Sequence, residues 1–326
     1  MSAPPTASAP PVGPVSPTPR GPSAPRKSIH KRKSILKRLT GSDPIGMLLS
    51  APYALFLAAV FVYPLGLGIW IAFHKYSFSA PGAAVDRPFV GFDNFVRALS
   101  DPAVHAAFKH VGIFLVINVP LTIGLALLLA AALNSAMRGV TFFRVAYYVP
   151  YVTASVATVT VWLFMFSERG VVNRFIGVLA PDPSWLTNSA WAMPMIALYV
   201  TWKQLGFFIL LYLAALQGVS KELYEAAKTD GANWWQSFRA VTWPGVLPAT
   251  SLVAMLAIIT GANLFTEPYL LTNGGGPNGA STTPVLLIYQ QAIQQNHPDR
   301  ASAIGIVLVI GVLLLAWISR RLTEEK

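Results

Sequence analysis

The sequence predicts an all-α polytopic membrane protein with six transmembrane helices and both termini in the cytoplasm. Three observations predict it. Apolar residues make up 54% of the 326-residue chain and charged residues only 11%, against about 25% charge in a soluble domain. The apolar residues gather into six blocks long enough to cross a bilayer, which takes about 20 residues of helix. The blocks are continuous rather than alternating, which excludes the short two-faced strands of a barrel, and in lipid the other structure that satisfies the backbone is the helix.

Taken in order, residues 1–25 are rich in Pro, Ser and Ala and predict a disordered tail. Arg26 to Arg38 is a basic stretch attractive to anionic lipid, and residues 1–46 together form a cytoplasmic tail. The membrane domain is predicted over 47–319, with blocks at 47–73, 111–133, 145–166, 191–216, 249–271 and 301–319. The first is too long for a cleaved signal peptide and reads as an anchor. Pro120 in the second predicts a kink or its absorption by neighbouring helices. A loop over 74–110 follows the first block, and another, over 167–190, follows the third. Residues 320–326 form a short cytoplasmic tail.

Six spans put both termini on one side. With that side inside, sixteen Lys and Arg lie inside and seven outside, with Lys203 within a span. Eight of the sixteen are in the N-terminal tail, which therefore decides the orientation. The net charge of +11 is thus assigned to topology and the lipid surface, not to nucleic acid. There is no cysteine, hence no disulfide and no cysteine-based metal site. The five histidines have no metal-ligand spacing. No Ser–His–Asp set and no paired carboxylates are discernible, so no catalytic residues are assigned and an enzyme is not expected.

The most informative segment is polar, over 217–248, between the fourth and fifth blocks. Lys221 to Asp230 favours a short helix, with Ser220 as N-cap and Glu222 and Glu225 placed where the N-terminal dipole favours anions. Gly231 can take positive φ and end that helix. Asn233 to Ala240 predicts a second short helix whose Trp234, Trp235 and Phe238 pack on the membrane domain. Pro244 and Pro248 close the segment. An interfacial amphipathic helix would share these local properties.

The order Glu225-Ala226-Ala227, three residues, Gly231, nine residues, then Val241-Thr242-Trp243-Pro244 resembles the EAA loop of ABC importer permeases, EAA-x3-G-x9-I-x-L-P. Val241 replaces the Ile conservatively and Trp243 the Leu less so. Gly170-Val171-Val172-Asn173 resembles the family's G-x-x-N turn, and Phe89-Val90-Gly91-Phe92-Asp93-Asn94-Phe95 and the Leu271-Thr272-Asn273-Gly274-Gly275-Gly276-Pro277 run resemble the carbohydrate-uptake branch, the maltose- and glycerol-phosphate-type permeases. The resemblance covers about 47–319. It implies a multi-pass subunit of a bacterial or archaeal cytoplasmic membrane that pairs with a second, related permease subunit, with two ATP-binding subunits and with an extracytoplasmic solute-binding protein. It implies that ATP and Mg reside on the partner ATPase subunits and no cofactor on this chain. No G-x-x-x-x-G-K-[ST] occurs in the sequence, which agrees with energy arriving from elsewhere. The resemblance further makes Glu225 the charged contact to the ATPase, Gly231 the turn that orients the helix, and Tyr224, Ala226 and Ala227 a close-packing face, with Asp230 beside them.

Charge within a span is a functional hypothesis. Lys203, between Trp202 and Gln204, and Glu267, before Pro268-Tyr269, are two such residues, and Asn263 lies nearby. Each can line a carbohydrate path. Equally, Lys203 can pair with a carboxylate or carbonyl on another helix, Glu267 can be solvated at the outer interface, and Asn263 can bind a neighbouring helix. Other readings are an ion-coupled secondary transporter, which would need several carboxylates buried in the membrane, an ABC permease for a non-sugar solute, and a membrane scaffold.

Overall fold

The computed structural model describes residues 44–80, 82, 85–134 and 139–324. The predicted N-terminal tail lies outside these residues except for its last three positions. The chain divides into two units, Met1–Ala59 and Val60–Lys326. Within the first, α1 (Pro44–Leu57) is apolar and carries Pro52 inside it. By length and composition the candidate span runs over Leu48–Ala72.

The second unit begins with α2 (Tyr63–Ala72), then α3 (Asp93–Ser100) and α4 (Pro102–Leu133). There follow α5 (Val140–Val152), α6 (Ser155–Met165), α7 (Val171–Ile176) and α8 (Ala192–Gln217). The polar segment supplies α9 (Lys221–Thr229), α10 (Trp234–Ser237) and α11 (Trp243–Gly245). The remainder is α12 (Leu247–Ala262), α13 (Thr266–Leu271), α14 (Pro284–Tyr289) and α15 (Pro298–Glu324). The described residues are predominantly helical and include no strand, only an isolated bridge between His74 and Phe89.

Among the described residues four helices are long and apolar enough to span a bilayer, and two bent pairs would raise this to six. The bent pairs are where the structure departs from the six simple blocks. The third block breaks between α5 and α6, whose axes meet at 99°. Pro150, in the last turn of α5, removes a backbone donor, and Thr153 and Ala154 are extended, with ψ of 139° and 134°. The second bent pair joins Trp234–Gly245 to α12 at 70°, ahead of the fifth block, and that block itself ends early, at Ala262, and resumes only as the short α13. Other boundaries shift outward. The second helix begins at Pro102, nine residues before the apolar block, because Asp101 caps it by accepting from the Ala103 N–H at 2.8 Å. It runs through Pro120 as one 32-residue helix. The last helix continues past Ser319, and Arg321 lies over the Trp317 ring at 4.6 Å.

The hub is α8. It packs along α4 and α5, and also meets α12 and α13. Polar pairs cross between helices on its buried face. Asn118 Nδ2 donates to Thr201 Oγ1 at 2.8 Å, the Thr158 and Tyr199 hydroxyls meet at 2.7 Å, and the Tyr212 hydroxyl donates to Thr250 Oγ1 at 3.1 Å. In hydrocarbon such groups lack water as a partner, so helix-to-helix bonds hold register. The loop after α2 is secured by Asn94, whose Nδ2 donates to the Ala72 and His74 carbonyls at 2.9 and 3.0 Å. This buried Asn caps the end of α2, which explains its place in the Phe92–Phe95 stretch.

Candidate functional site

The polar segment between α8 and α12 is organised by bonds within a few residues. Ser220 Oγ accepts from the Glu222 N–H at 3.2 Å and starts α9. The helix ends in a left-handed turn: Gly231 has φ of +75°. The Gly231 N–H reaches the Lys228 carbonyl at 3.0 Å and the Ala232 N–H reaches the Ala227 carbonyl at 2.9 Å, the pairing of a Schellman motif. Asn233 then opens α10 with a capping box. The Gln236 N–H donates to Asn233 Oδ1 at 2.9 Å, and the Asn233 N–H to Gln236 Oε1 at 2.8 Å.

This geometry sorts the residues singled out by the sequence. Glu225, Ala226 and Asp230 are exposed, as is Gly231. Tyr224 and Ala227, three positions apart and so on one face, are half-buried. The Tyr224 hydroxyl lies 3.0 Å from Oγ1 of the buried Thr242 and ties α9 to the turn that leads into α12. A cleft of about 530 Å³ lies beside this tie, lined by Leu216, Tyr224, Lys228, Trp234, Phe238 and other residues. The expectation for the aromatic trio needs correction. Phe238 packs against the core, but Trp234 and Trp235 remain 63% and 58% exposed. They stack on Phe238 instead, with ring centroids 5.5 and 5.6 Å away, because α10 is one turn long and it is Phe238, just past its end, that meets the body. Gly245 passes close to Val219, where a Cβ would come 2.8 Å from Cγ2.

A second cluster surrounds the break between α5 and α6. Lys203, on α8, donates to Ser155 Oγ at the first residue of α6. At Gly206, one turn further on, a Cβ would overlap the Tyr147 carbonyl oxygen on α5. Phe207 stacks on Tyr151 of α5, centroids 5.1 Å apart at 15°.

The remaining polar residues lie near α13. Asn263 is the C-cap of α12, not a mid-helix residue; it is exposed and its Nδ2 donates to the Ile259 carbonyl at 2.7 Å. Glu267 sits half-buried in the first turn of α13, which packs against α6 and α8. Among the described residues no ion pair joins Lys203 to Glu267. The glycine run after α13 has positive φ at Asn273, Gly274, Gly275 and Gly276, a conformation that side chains with a Cβ rarely adopt. It is held by Thr272 and Ser281, whose hydroxyls meet at 2.7 Å, and by Gln290 Nε2 donating to the Gly274 carbonyl at 3.0 Å. Sequence reasoning placed Asn94 in a motif without seeing its capping role, and it missed Asn118, Thr201 and Gly206, each a small or polar residue within an apolar block.

A family model described as "Binding-protein-dependent transport system inner membrane component" matches residues 118–324, a stretch that includes the break, the polar segment and the glycine run. The chain belongs to this family. The permease is 32% identical over 290 residues to the lactose transport system permease protein LacF of Rhizobium radiobacter, covering 87% of this chain and 95% of that one. It is 32% identical over 280 residues to the arabinooligosaccharides transport system permease protein AraP of Bacillus subtilis, covering 85% and 87%. A bacterial alginate ABC transporter crystallised with an alginate pentasaccharide-bound periplasmic protein has the same fold, with a TM-score of 0.73 at 23% identity over 88% of this chain and 98% of that one. The permease is therefore a multi-pass membrane transport component rather than an enzyme.

Proposed function

We propose that this permease is one transmembrane subunit of an ATP-driven ABC importer for a carbohydrate: a sugar, an oligosaccharide or a glycerol-phosphate-like solute. The carbohydrate class is supported by the lactose and arabinooligosaccharide permeases among its relatives. In this reading it has six spans, with both termini in the cytoplasm of a bacterial or archaeal cell. It pairs with a second, related permease subunit, is driven by two ATP-binding subunits that hold ATP and Mg, and receives solute from an extracytoplasmic binding protein.

The observation that carries the reading is α9. It is capped at both ends by its own neighbours, tethered to the body through Tyr224, and presents Glu225 and Ala226 outward. A helix so built moves as a rigid lever. Motion imposed on it by closing ATPase subunits would pass through Tyr224 and Thr242 into α12, a change between two access states biased by nucleotide. In this reading Tyr224, Glu225, Ala226, Ala227, Asp230 and Gly231 make up the coupling element, and Lys203, Asn263 and Glu267 lie along the carbohydrate path.

The test is uptake of a panel of labelled mono-, di- and oligosaccharides and glycerol phosphates into vesicles holding the co-expressed complex, with Glu225→Lys alongside. Uptake that requires ATP and is lost in the variant is the expected result. Uptake that persists without ATP and stops with an ionophore would identify an ion-coupled transporter instead. Silence across the panel with stimulated ATPase intact would retain the importer and remove the carbohydrate.

A further inference from the structure

The break between α5 and α6 does not stand alone: four residues of α8 splint it. Tyr199 and Lys203 hold α6, through the hydroxyl of Thr158 and that of Ser155. Gly206 and Phe207 hold α5, through the close backbone approach at Tyr147 and the ring of Tyr151. Three of the four contacts are uncharged and packed. The fourth is an ammonium group in an apolar helix, where charge is costly unless it is paired or solvated. Beside the broken helix it has a partner. The Ser155 hydroxyl, on the first residue of the second half, supplies an acceptor.

We infer that Lys203 is a positioning residue: its bond to Ser155 latches the bend between α5 and α6 against α8, and translocation requires this latch. The inference deepens the proposed transport function, which places Lys203 along the carbohydrate path. In the structure its ammonium group donates to the Ser155 hydroxyl at the start of α6. A hydrogen-bonded latch can open and reclose, whereas the Gly206 contact, being backbone against backbone, cannot yield without moving the whole helix. The four contacts thus divide into a fixed pivot on α5 and a releasable hold on α6.

The chain has no cysteine, so once any cysteines of the partner subunits are replaced, Val145→Cys on α5 and Val161→Cys on α6, both exposed, give a pair of labelling sites across the break. Spin-label distances would be measured on the full complex in lipid nanodiscs, with neither nucleotide nor solute. The parent should give one narrow distance. Lys203→Met and Ser155→Ala should each broaden or shift it, Lys203→Arg should restore it in part, and uptake should fall in the same order. If Lys203→Met fails to assemble, Ser155→Ala, which deletes one hydroxyl, decides the matter. Distances unchanged in both variants would overturn the latch; if uptake is nevertheless lost in Lys203→Met, the residue acts on the solute and the proposed function stands. Distances that change in a complex which transports no carbohydrate would keep the latch and remove that function.

Discussion

The α8 helix and the polar segment that follows it are adjacent in sequence and opposite in construction. In α8 most side-chain hydrogen bonds reach other helices: Thr201 to Asn118, Tyr199 to Thr158, Tyr212 to Thr250. In the polar segment most bonds close within five residues: Ser220 to Glu222, Ala232 to Ala227, Asn233 to Gln236. One long-range bond, Tyr224 to Thr242, docks the result. The difference follows from the solvent. A helix in hydrocarbon gains little from burying apolar surface against apolar surface, so close packing and polar pairs fix its neighbours. A helix in water must first be stable by itself, and short helices are marginal without caps. The hub is therefore specified from outside and the polar segment from within.

Substitutions can break this contrast. The largest effect is expected at Gly206. Gly206→Ala drives a Cβ into the Tyr147 backbone, and overpacking of this kind costs about 1–3 kcal/mol. The monodisperse fraction after detergent extraction should drop sharply. Gly261→Ala meets only the Phe114 and Leu115 side chains and should be milder.

Next comes Gly231→Ala, which places a Cβ at φ of +75° and costs about 1–2 kcal/mol. Hydrogen exchange should speed up in α9 and leave α8 protected. Faster exchange throughout α8 would show that the segment is not locally determined. Asn233→Ala removes the capping box, worth about 1 kcal/mol, and should loosen α10 alone by the same measurement. The smallest effect is expected for Asn118→Val, which deletes the bond to Thr201 at a cost of about 0.6 kcal/mol. A thermal unfolding shift that is additive with Gly231→Ala would confirm that hub and polar segment are separate.

The legibility of the chain follows the same division. Ser220, Gly231 and the pattern from Glu225 to Pro244 are readable because caps and turns act over a few residues. The Schellman closure at Gly231 and the N-cap at Ser220 lie where the sequence places them. The exposure of Trp234 and Trp235 was not readable, because two apolar rings on a one-turn helix look like core until the body beneath is known. The blocks of apolar residues marked the spans, yet a continuous apolar run such as 145–166 carries no sign of a 99° bend, and Pro150 alone does not specify its angle. Asn263 likewise read as a polar residue inside a span and is a helix cap.

By itself, the sequence determined the helical membrane class, the positions of the apolar blocks and the local architecture of the polar segment. These depend on hydrophobicity and on interactions between near neighbours, both present in any stretch of chain. Only the tertiary structure decided where the third and fifth blocks break, that Asn94 caps α2, that Gly206 is the point of closest approach and that Lys203 meets Ser155. Each of these joins residues at least 20 positions apart or sets the angle of a bend, and such choices are made by which helices pack together.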